Sequence, residues 1–275
     1  MTKYIPVSTQ SVGLRTWSRY SNYKFADGAT LLPALVPELP KLMPHYVLVF
    51  ATEPDATLGL MVLTGLLPNR NAYLSAQNRW VVPYVPAVLR GYPFKLGTLP
   101  GEQKSRALFV DEASGLLAPQ GEAEAFFDDA GQPSAALKQV LEFLGDLDAQ
   151  HDLTQRAVGA LHSAGVLEAW PLKLALTDNS LGAVAGSKST KHVDGLWRVS
   201  KKALDALAPD ALASLRDQGA LAVAYAQLFS MAQLENLVAL VQRLAQPTSP
   251  KAASVNGLPA ATAFQLPQSD TLKFS

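Results

Sequence analysis

The chain has 275 residues, 48% of them hydrophobic and 17% charged, so it is long and apolar enough to fold around a sizeable core. The formal net charge of +0 lacks the basic excess typical of nucleic-acid-binding proteins, and we expect no nucleic-acid partner. The absence of cysteine excludes disulfides, thiolate nucleophiles and cysteine ligands for a metal.

The sequence shows no targeting or membrane segment. The N-terminal residues contain no apolar run of the signal-peptide type. The most apolar stretch, residues 58–68, is shorter than the roughly 20 residues that a membrane-spanning helix needs. We therefore expect a cytoplasmic protein without a membrane span, and export by a leaderless route would leave no mark in the sequence.

The first half of the chain predicts short strands separated by turns. Apolar runs bounded by turn residues lie at 46–51, 58–67 and 107–112. Residues 124–133 combine a short apolar piece with a turn rich in Asp and Gly. Asp111, at the end of the third run, is expected to serve a turn or a cap, and a functional role stays open.

From Pro133 onward the pattern becomes helical, because Leu137, Val140, Leu141 and Leu144 recur at the spacing of an amphipathic helix. The later elements are predicted as helix 152–165, strand 170–178, a strand or an extended link at 193–200, helix 209–218 and helix 220–245. Strands followed by helices predict an α+β fold in one domain over residues 1–245. The Pro-, Ser-, Ala- and Gly-rich residues 246–275 are expected to be mostly disordered.

No complete motif for a metal, a nucleotide or another cofactor is present. In GAVAGSKST (182–190), three residues separate the glycines and Ser187 precedes Lys188, so the segment fits an exposed flexible loop better than a phosphate-binding loop. FFDDAGQ (126–132) lacks the alternating ligands of a calcium loop and predicts a turn. None of the four histidines has a partner at metal-ligand spacing. We expect no metal and no cofactor, and catalytic residues stay unassigned.

Residues 79–94, RWVVPYVPAVLRGYPF, concentrate rings, prolines and arginines. One interpretation is an aromatic groove in which Arg90 faces a carboxylate or a phosphate. The other is a proline-shaped corner whose rings belong to the core, and we favour it because aromatic residues are first of all core residues. The candidate ligand- or partner-binding residues are Trp80, Tyr84, Arg90, Tyr92, Phe94 and Asp111.

The pattern W-x-x-x-Y-V-P-A-x-x-R-x-Y-P-F at 80–94 resembles a signature of the SapC family of bacterial proteins, named from a gene associated with a surface layer. The resemblance covers roughly residues 20–245, with further matching segments at 22–50, 108–117, 121–137 and 193–237. One departure stands out, because the family commonly has two arginines before Y-P-F and the second position here is Gly91. An unrelated transporter permease shares the family's name.

The resemblance implies little about chemistry. Our first hypothesis is a non-catalytic protein that binds a protein or peptide partner, with an accessory role in surface-layer or envelope function. The alternative is an enzyme, or an accessory subunit of a peptide- or amino-acid-modifying system, that uses the pocket around residues 80–94. An enzyme should bring Arg90 together with a carboxylate such as Asp111 or Glu38. A binding module should show an exposed apolar patch or an unpaired strand edge.

Overall fold

The computed structural model describes residues 3–53, 56–99, 106–119, 123–177 and 188–245. Its strands are β1 (Tyr4–Pro6), β2 (Thr16–Trp17), β3 (Leu31–Pro33), β4 (Val47–Thr52), β5 (Leu58–Leu63), β6 (Phe94–Thr98), β7 (Arg106–Asp111), β8 (Leu117–Ala118), β9 (Glu124–Ala125), β10 (Leu167–Ala169), β11 (Leu172–Thr177), β12 (Lys188–Val193) and β13 (Leu196–Val199). Its α-helices are α1 (Thr9–Val12), α2 (Leu39–Leu42), α3 (Ala135–Ser163), α4 (Lys201–Asp205), α5 (Pro209–Asp217), α6 (Ala220–Ser230) and α7 (Leu234–Ala245).

The architecture is α+β, with strands mainly in the N-terminal half and helices mainly in the C-terminal half. The largest sheet is antiparallel and has the order β10-β13-β4-β5-β3. Its two central strands, β4 and β5, are buried along almost their whole length, because α3 and α6 pack against them. This burial explains why both strands appear in the sequence as continuous apolar runs rather than as alternating ones.

Helix α6 also completes the hydrogen bonding of β4. Strand β13 pairs with β4 only at Leu196 and Trp197. Beyond that point, the backbone N–H of Leu48 donates to Ser230 Oγ at 2.9 Å, and Gln227 Nε2 donates to the Leu48 carbonyl at 3.2 Å. Gln227 Oε1 accepts from the Val199 N–H at 2.9 Å. Two buried polar side chains therefore satisfy backbone groups that a neighbouring strand would otherwise pair.

Two smaller sheets, with the orders β1-β7-β6 and β8-β2-β9, surround a second hydrophobic cluster. This cluster contains Trp17, Phe94, Val110 and Phe126, whereas the cluster around the five-stranded sheet contains Phe50 and its neighbours. Helix α3 contributes to both, since Leu137 and Leu144 pack in the smaller cluster and Ala157, Val158 and Leu161 pack in the larger one.

Helix α3 corrects the prediction of two helices in this region. The chain is helical without interruption from Ala135 to Ser163, and Asp152, the expected N-cap of the second helix, lies on its exposed side. The N-cap is Ser134, whose Oγ accepts from the Leu137 N–H at 3.1 Å. The helix continues because both of its halves bury an apolar face, each against a different cluster.

The predicted helix 220–245 is also wrong in one respect. The chain forms two helices there, α6 and α7, with the 3-10 helix Met231–Gln233 between them. The segment 126–132 is a turn as predicted, in which Asp128 Oδ1 accepts from the N–H groups of Ala130 and Gln132. The loop expected at 182–190 is wrong for Lys188–Thr190, which begin β12 and pair with β11, and the rest of it lies outside the described residues, as does the whole tail 246–275.

A candidate anion-binding cleft

A cleft of about 680 Å³ lies between the N-terminal segment, the 83–94 segment and one side of α3. Seven of the described residues that line it are aromatic, namely Trp17, Tyr20, Tyr23, Tyr84, Tyr92, Phe94 and Phe143. Its other described lining residues are Arg19, Pro83, Val85, Arg90, Gly91, Gln139 and Val140. We call this space the arginine cleft, since Arg19 and Arg90 are its charged residues within the described chain.

The wall formed by residues 83–94 is shaped by its prolines and by buried polar anchors. Pro86 precedes the 3-10 helix Ala87–Gly91, and an extended Pro86 is what the chain needs to enter that helix. The carbonyl of Tyr84 accepts from the Tyr46 hydroxyl, which in turn accepts from Trp80 Nε1. Trp80 therefore supports the wall from behind and does not line the cleft.

Glu38 anchors the same wall from the core. This carboxylate is only 5% exposed, and its Oε1 accepts from the Tyr84 hydroxyl and from the Ala87 N–H, both at 2.7 Å. Oε2 is buried and has no hydrogen-bond partner among the described residues. A buried acceptor without a partner costs free energy. The two hydrogen bonds that Oε1 accepts are therefore what holds Glu38 in place.

Asp111 is the equivalent anchor for Tyr92. It is 1% exposed, and its Oδ2 accepts from the Tyr92 hydroxyl at 3.2 Å. Its Oδ1 accepts from the N–H of Lys3 at 2.9 Å and from that of Ala113 at 3.1 Å. The second of these bonds caps the 3-10 helix Glu112–Ser114, so the predicted cap role of Asp111 is present.

The arginines stand at the exposed side of the cleft. Arg90 Nη2 donates to the Val85 carbonyl at 3.0 Å, and its guanidinium lies 5.0 Å from the centre of the Tyr84 ring. The charges of Arg19 and Arg90 both act on the Tyr20 hydroxyl, where they oppose a rise in its pKa. No described carboxylate forms an ion pair with either arginine. The cleft therefore presents two guanidiniums without a direct ion pair among the described residues, while the carboxylates of Glu38 and Asp111 lie buried behind its tyrosines.

The rings are packed against one another as well as against the cleft. Phe25 stacks on Tyr92 with ring centres 3.9 Å apart, and Tyr20 meets Phe25 edge-on at 5.0 Å. Trp17 meets Phe94 edge-on at 4.8 Å. Such contacts fix the ring planes, so the walls are largely formed before any ligand arrives.

Three tyrosines of the cleft, Tyr20, Tyr84 and Tyr92, have raised pKa values. Burial, and then the neighbouring Tyr23, raise the pKa of Tyr20 to about 12. Burial and the bond to Glu38 raise the pKa of Tyr84 to about 12. Burial and the charge of Asp111 raise the pKa of Tyr92 to about 12. All three phenols are neutral hydrogen-bonding groups at physiological pH, and none is a phenolate that could act as a base.

The structure brings together four of the six candidate residues. Tyr84, Arg90, Tyr92 and Phe94 line the arginine cleft, whereas Asp111 lies buried behind Tyr92. Trp80, behind the wall, stacks with Tyr73. The 79–94 segment is a proline-shaped corner on its inner side, and its outer side lines a cleft. That Arg90 faces a carboxylate or a phosphate there stays a prediction.

Sequence reasoning missed the opposite walls. Trp17 ends the short strand β2, and Arg19, Tyr20 and Tyr23 follow it in a segment whose spacing fits neither a strand nor a helix. The available signal was compositional, because residues 15–25, RTWSRYSNYKF, repeat the mixture of arginine and rings seen at 79–94. The contribution of α3, through Gln139, Val140 and Phe143, depends on tertiary packing that the sequence pattern does not show.

Other site types are not supported within the described residues. No group of three or more His, Asp or Glu side chains there is arranged to hold a metal ion. No described helix has the length and apolar character needed to cross a bilayer. The most exposed aromatic pair is Tyr225 and Phe229, which stack 6.1 Å apart on the outer face of α6.

Comparison with protein-family models gives one match, to SapC, over residues 13–237. The chain belongs to the SapC family. The matched residues include the whole arginine cleft, so the cleft lies within the part of the chain that defines the SapC family. Comparison with curated proteins and with solved structures gives no match.

Gly91, next to Arg90, is buried against α3. A Cβ at this position would lie 2.7 Å from Leu144 Cδ2, a methyl group that can shift. A larger side chain at Gly91 would therefore require Leu144 to move. The other cation that lines the cleft, Arg19, comes from the N-terminal segment.

Proposed function

We propose that the protein binds an organic anion in the arginine cleft, without catalysis. Arg19 and Arg90 hold a carboxylate or phosphate, and a planar apolar part of the ligand packs against the rings. The observation that carries this proposal is the composition of the lining, which within the described residues has two guanidiniums, seven rings and no Asp or Glu. A volume of about 680 Å³ is within the usual range for small-molecule sites.

The electrostatics favour an anion over a neutral or cationic ligand. Hydrogen bonds from a guanidinium to a carboxylate or phosphate are charge-assisted and stronger than neutral ones. Arg90 donates to the Val85 carbonyl and to the Tyr84 hydroxyl, and its other N–H donors are available. A cation would meet two like charges in the lining, whereas the nearby carboxylates of Glu38 and Asp111 are buried and directed to the phenols and backbone N–H groups.

The same chemistry can come from a free small molecule or from the C-terminal residue of a peptide, and the peptide corresponds to the partner expected from the sequence. We further propose that binding serves an accessory role in surface-layer or envelope function. That role is supported by the family resemblance alone.

The proposal is tested by calorimetric titration with three probes. Naphthoate carries both the rings and the negative charge, naphthamide carries only the rings, and acetate carries only the charge. Naphthoate should bind more tightly than either of the other two. The tripeptide Gly-Gly-Phe, with a free or an amidated C-terminus, distinguishes a peptide source from a free molecule. Arg90→Ala and Arg19→Ala should each weaken naphthoate binding by about 10- to 100-fold, the value of one charge-assisted hydrogen bond.

Arg79→Ala is the matched control, because Arg79 is an exposed arginine of the same segment that does not line the cleft. Arg90→Ala should lower the free energy of unfolding by no more than about 1 kcal/mol, since Arg90 is exposed. A loss of several kcal/mol would show that Arg90 is structural. Equal weakening by Arg79→Ala, or equal binding of naphthamide and naphthoate, would contradict the proposal.

The second candidate, an enzyme or an accessory subunit of a peptide- or amino-acid-modifying system, is favoured by one feature. Buried carboxylates stand behind two cleft tyrosines, Glu38 behind Tyr84 and Asp111 behind Tyr92. The raised pKa values of both phenols argue against a role as base or nucleophile. Mass spectrometry of the tightest-binding probe after incubation separates the two functions, since an altered mass would favour the enzyme.

A further inference from the structure

Two tyrosines that line the arginine cleft have hydroxyl groups whose hydrogen-bond direction is fixed by buried carboxylates. The Tyr84 hydroxyl donates to Glu38 Oε1 at 2.7 Å, and the Tyr92 hydroxyl donates to Asp111 Oδ2 at 3.2 Å. A phenol has a single O–H, so a phenol that donates inward can only accept from the other side. The Tyr84 oxygen already accepts from Arg90 and keeps one lone pair, whereas the Tyr92 oxygen has the freer acceptor, so both can still accept from a ligand.

The direction of these two hydrogen bonds does not reverse easily, because each carboxylate is also held by backbone N–H groups. Glu38 is held by the Ala87 N–H, and Asp111 is held by the N–H groups of Lys3 and Ala113, so neither carboxylate can turn away without leaving backbone donors unpaired. The pKa of Tyr84 and that of Tyr92 are both raised to about 12 by burial and the adjacent carboxylate, which keeps both protons in place.

The two arginines, unlike the tyrosine oxygens, can only donate hydrogen bonds to a ligand. A guanidinium offers only donors, so Arg19 and Arg90 can receive an anion but cannot accept from an O–H or N–H group. The lining of the cleft therefore offers cationic donors, from Arg19 and Arg90, and neutral acceptors, from the tyrosine oxygens. A ligand that satisfies both kinds of group needs an anionic group and, separately, a hydrogen-bond donor.

We propose that the ligand of the arginine cleft is an aromatic carboxylate that also carries an O–H or N–H donor, which the oxygen of Tyr84 or Tyr92 accepts. This inference rests on the proposed function and narrows it to hydroxylated or aminated aromatic acids. An aromatic acid whose ring carries only acceptors or methyl groups leaves the tyrosine oxygens without a partner.

The experiment compares four probes of similar size by calorimetric titration of the wild-type chain. Para-hydroxyphenylacetate and para-aminophenylacetate carry a donor, para-methylphenylacetate is the isostere without one, and para-methoxyphenylacetate carries only an acceptor. Both donor probes should bind about three- to tenfold more tightly than the other two, the range for one neutral hydrogen bond.

Variants then assign the preference to the tyrosines. The double variant Tyr84→Phe, Tyr92→Phe should bind all four probes with similar affinity, and thermal unfolding checks that it is folded. Gln139→Ala is the control, because Gln139 is an exposed amide of the same cleft that can also accept. The donor preference should persist in this variant.

The outcomes separate the inference from the function on which it rests. If all four probes bind the wild type equally, the donor inference is wrong and anion binding stands. If none binds at millimolar concentration and naphthoate does not bind either, both are wrong. If the preference survives in the double tyrosine variant or disappears in Gln139→Ala, the donor is recognised elsewhere and the assignment to the tyrosines fails. The wild-type comparison decides the donor preference even if the double variant does not fold.

Discussion

Glu38 is the residue on which the shape of the arginine cleft most depends, although it does not line the cleft. Its Oε1 holds both the ring of Tyr84 and the start of the 3-10 helix Ala87–Gly91. The remaining oxygen has no partner among the described residues. A single buried atom thus positions the acceptor oxygen of the wall and the arginine at the end of that helix.

We expect Glu38→Ala to lower the free energy of unfolding by about 2–4 kcal/mol, because it leaves a buried N–H and a phenol without their acceptor. Glu38→Gln keeps an acceptor oxygen and should cost less, about 1–2 kcal/mol. Urea denaturation followed by circular dichroism measures both. Glu142→Ala, at an exposed position of α3, is the control and should change the value by less than about 0.5 kcal/mol. Equal losses for Glu38→Ala and Glu142→Ala would contradict this account of Glu38.

The sequence could indicate half of the cleft at the scale of residues. Tyr84, Arg90 and Tyr92 were identifiable because rings, prolines and arginines are concentrated in one short segment. Arg19 and Tyr20 were not, because their segment has no periodicity and its partner across the cleft is about seventy residues away. The roles of Glu38 and Asp111 depend on which phenol each carboxylate meets, and spacing alone cannot show that.

At the scale of elements, α3 shows the limit of pattern reading. The stripe Leu137 to Leu144 was detected because it repeats every three to four residues. A second helix was expected to begin at Asp152, because Asp is a typical N-cap residue. Tertiary packing overrides that local preference, since the second half of α3 buries Ala157, Val158 and Leu161 against the larger cluster.

The start of α3 provides a test at this scale. Ser134 Oγ accepts from the Leu137 N–H and donates to the Ala125 carbonyl at 2.7 Å, so it caps the helix and ties it to β9. We expect Ser134→Ala to lower the free energy of unfolding by about 1–2 kcal/mol in urea denaturation. Ser163→Ala, at the exposed last residue of α3, should change it by less than about 0.5 kcal/mol. Ser134→Thr retains the capping hydroxyl, and a loss as large as that of Ser134→Ala would argue against the cap.

At the scale of the molecule, the arginine cleft lies where the two hydrophobic clusters meet. Trp17 and Phe94 belong to the smaller cluster, whereas Tyr84 and Val85 pack against the larger one. Helix α3 joins the clusters and also supplies one wall of the cleft. The α+β class was predictable because it follows from the order of apolar patterns, but the division of the core was not, because it depends on long-range pairing such as that of β1 with β7.

We predict that the two clusters unfold together, because α3 cannot remain ordered in one half after losing the other. A variant that keeps only Trp17 reports on the smaller cluster by fluorescence, and one that keeps only Trp170 reports on the larger. Their urea transitions should coincide with each other and with that of circular dichroism. If, within one variant, the urea midpoint from fluorescence differs from that of circular dichroism, the two clusters unfold as independent units.

The hydrogen bonds from α6 side chains to the backbone of β4 have a consequence for the newly made chain. Leu48 and Ser230, which are hydrogen-bonded to each other, stand 182 residues apart. At typical synthesis rates of about 5–20 residues per second, β4 leaves the ribosome roughly 10–40 s before α6 can cover it. During that interval the backbone of a very apolar strand is open on one side, where it can pair with another nascent chain. Gln227 and Ser230 thus end a period of exposure during biosynthesis, in addition to stabilising the finished fold.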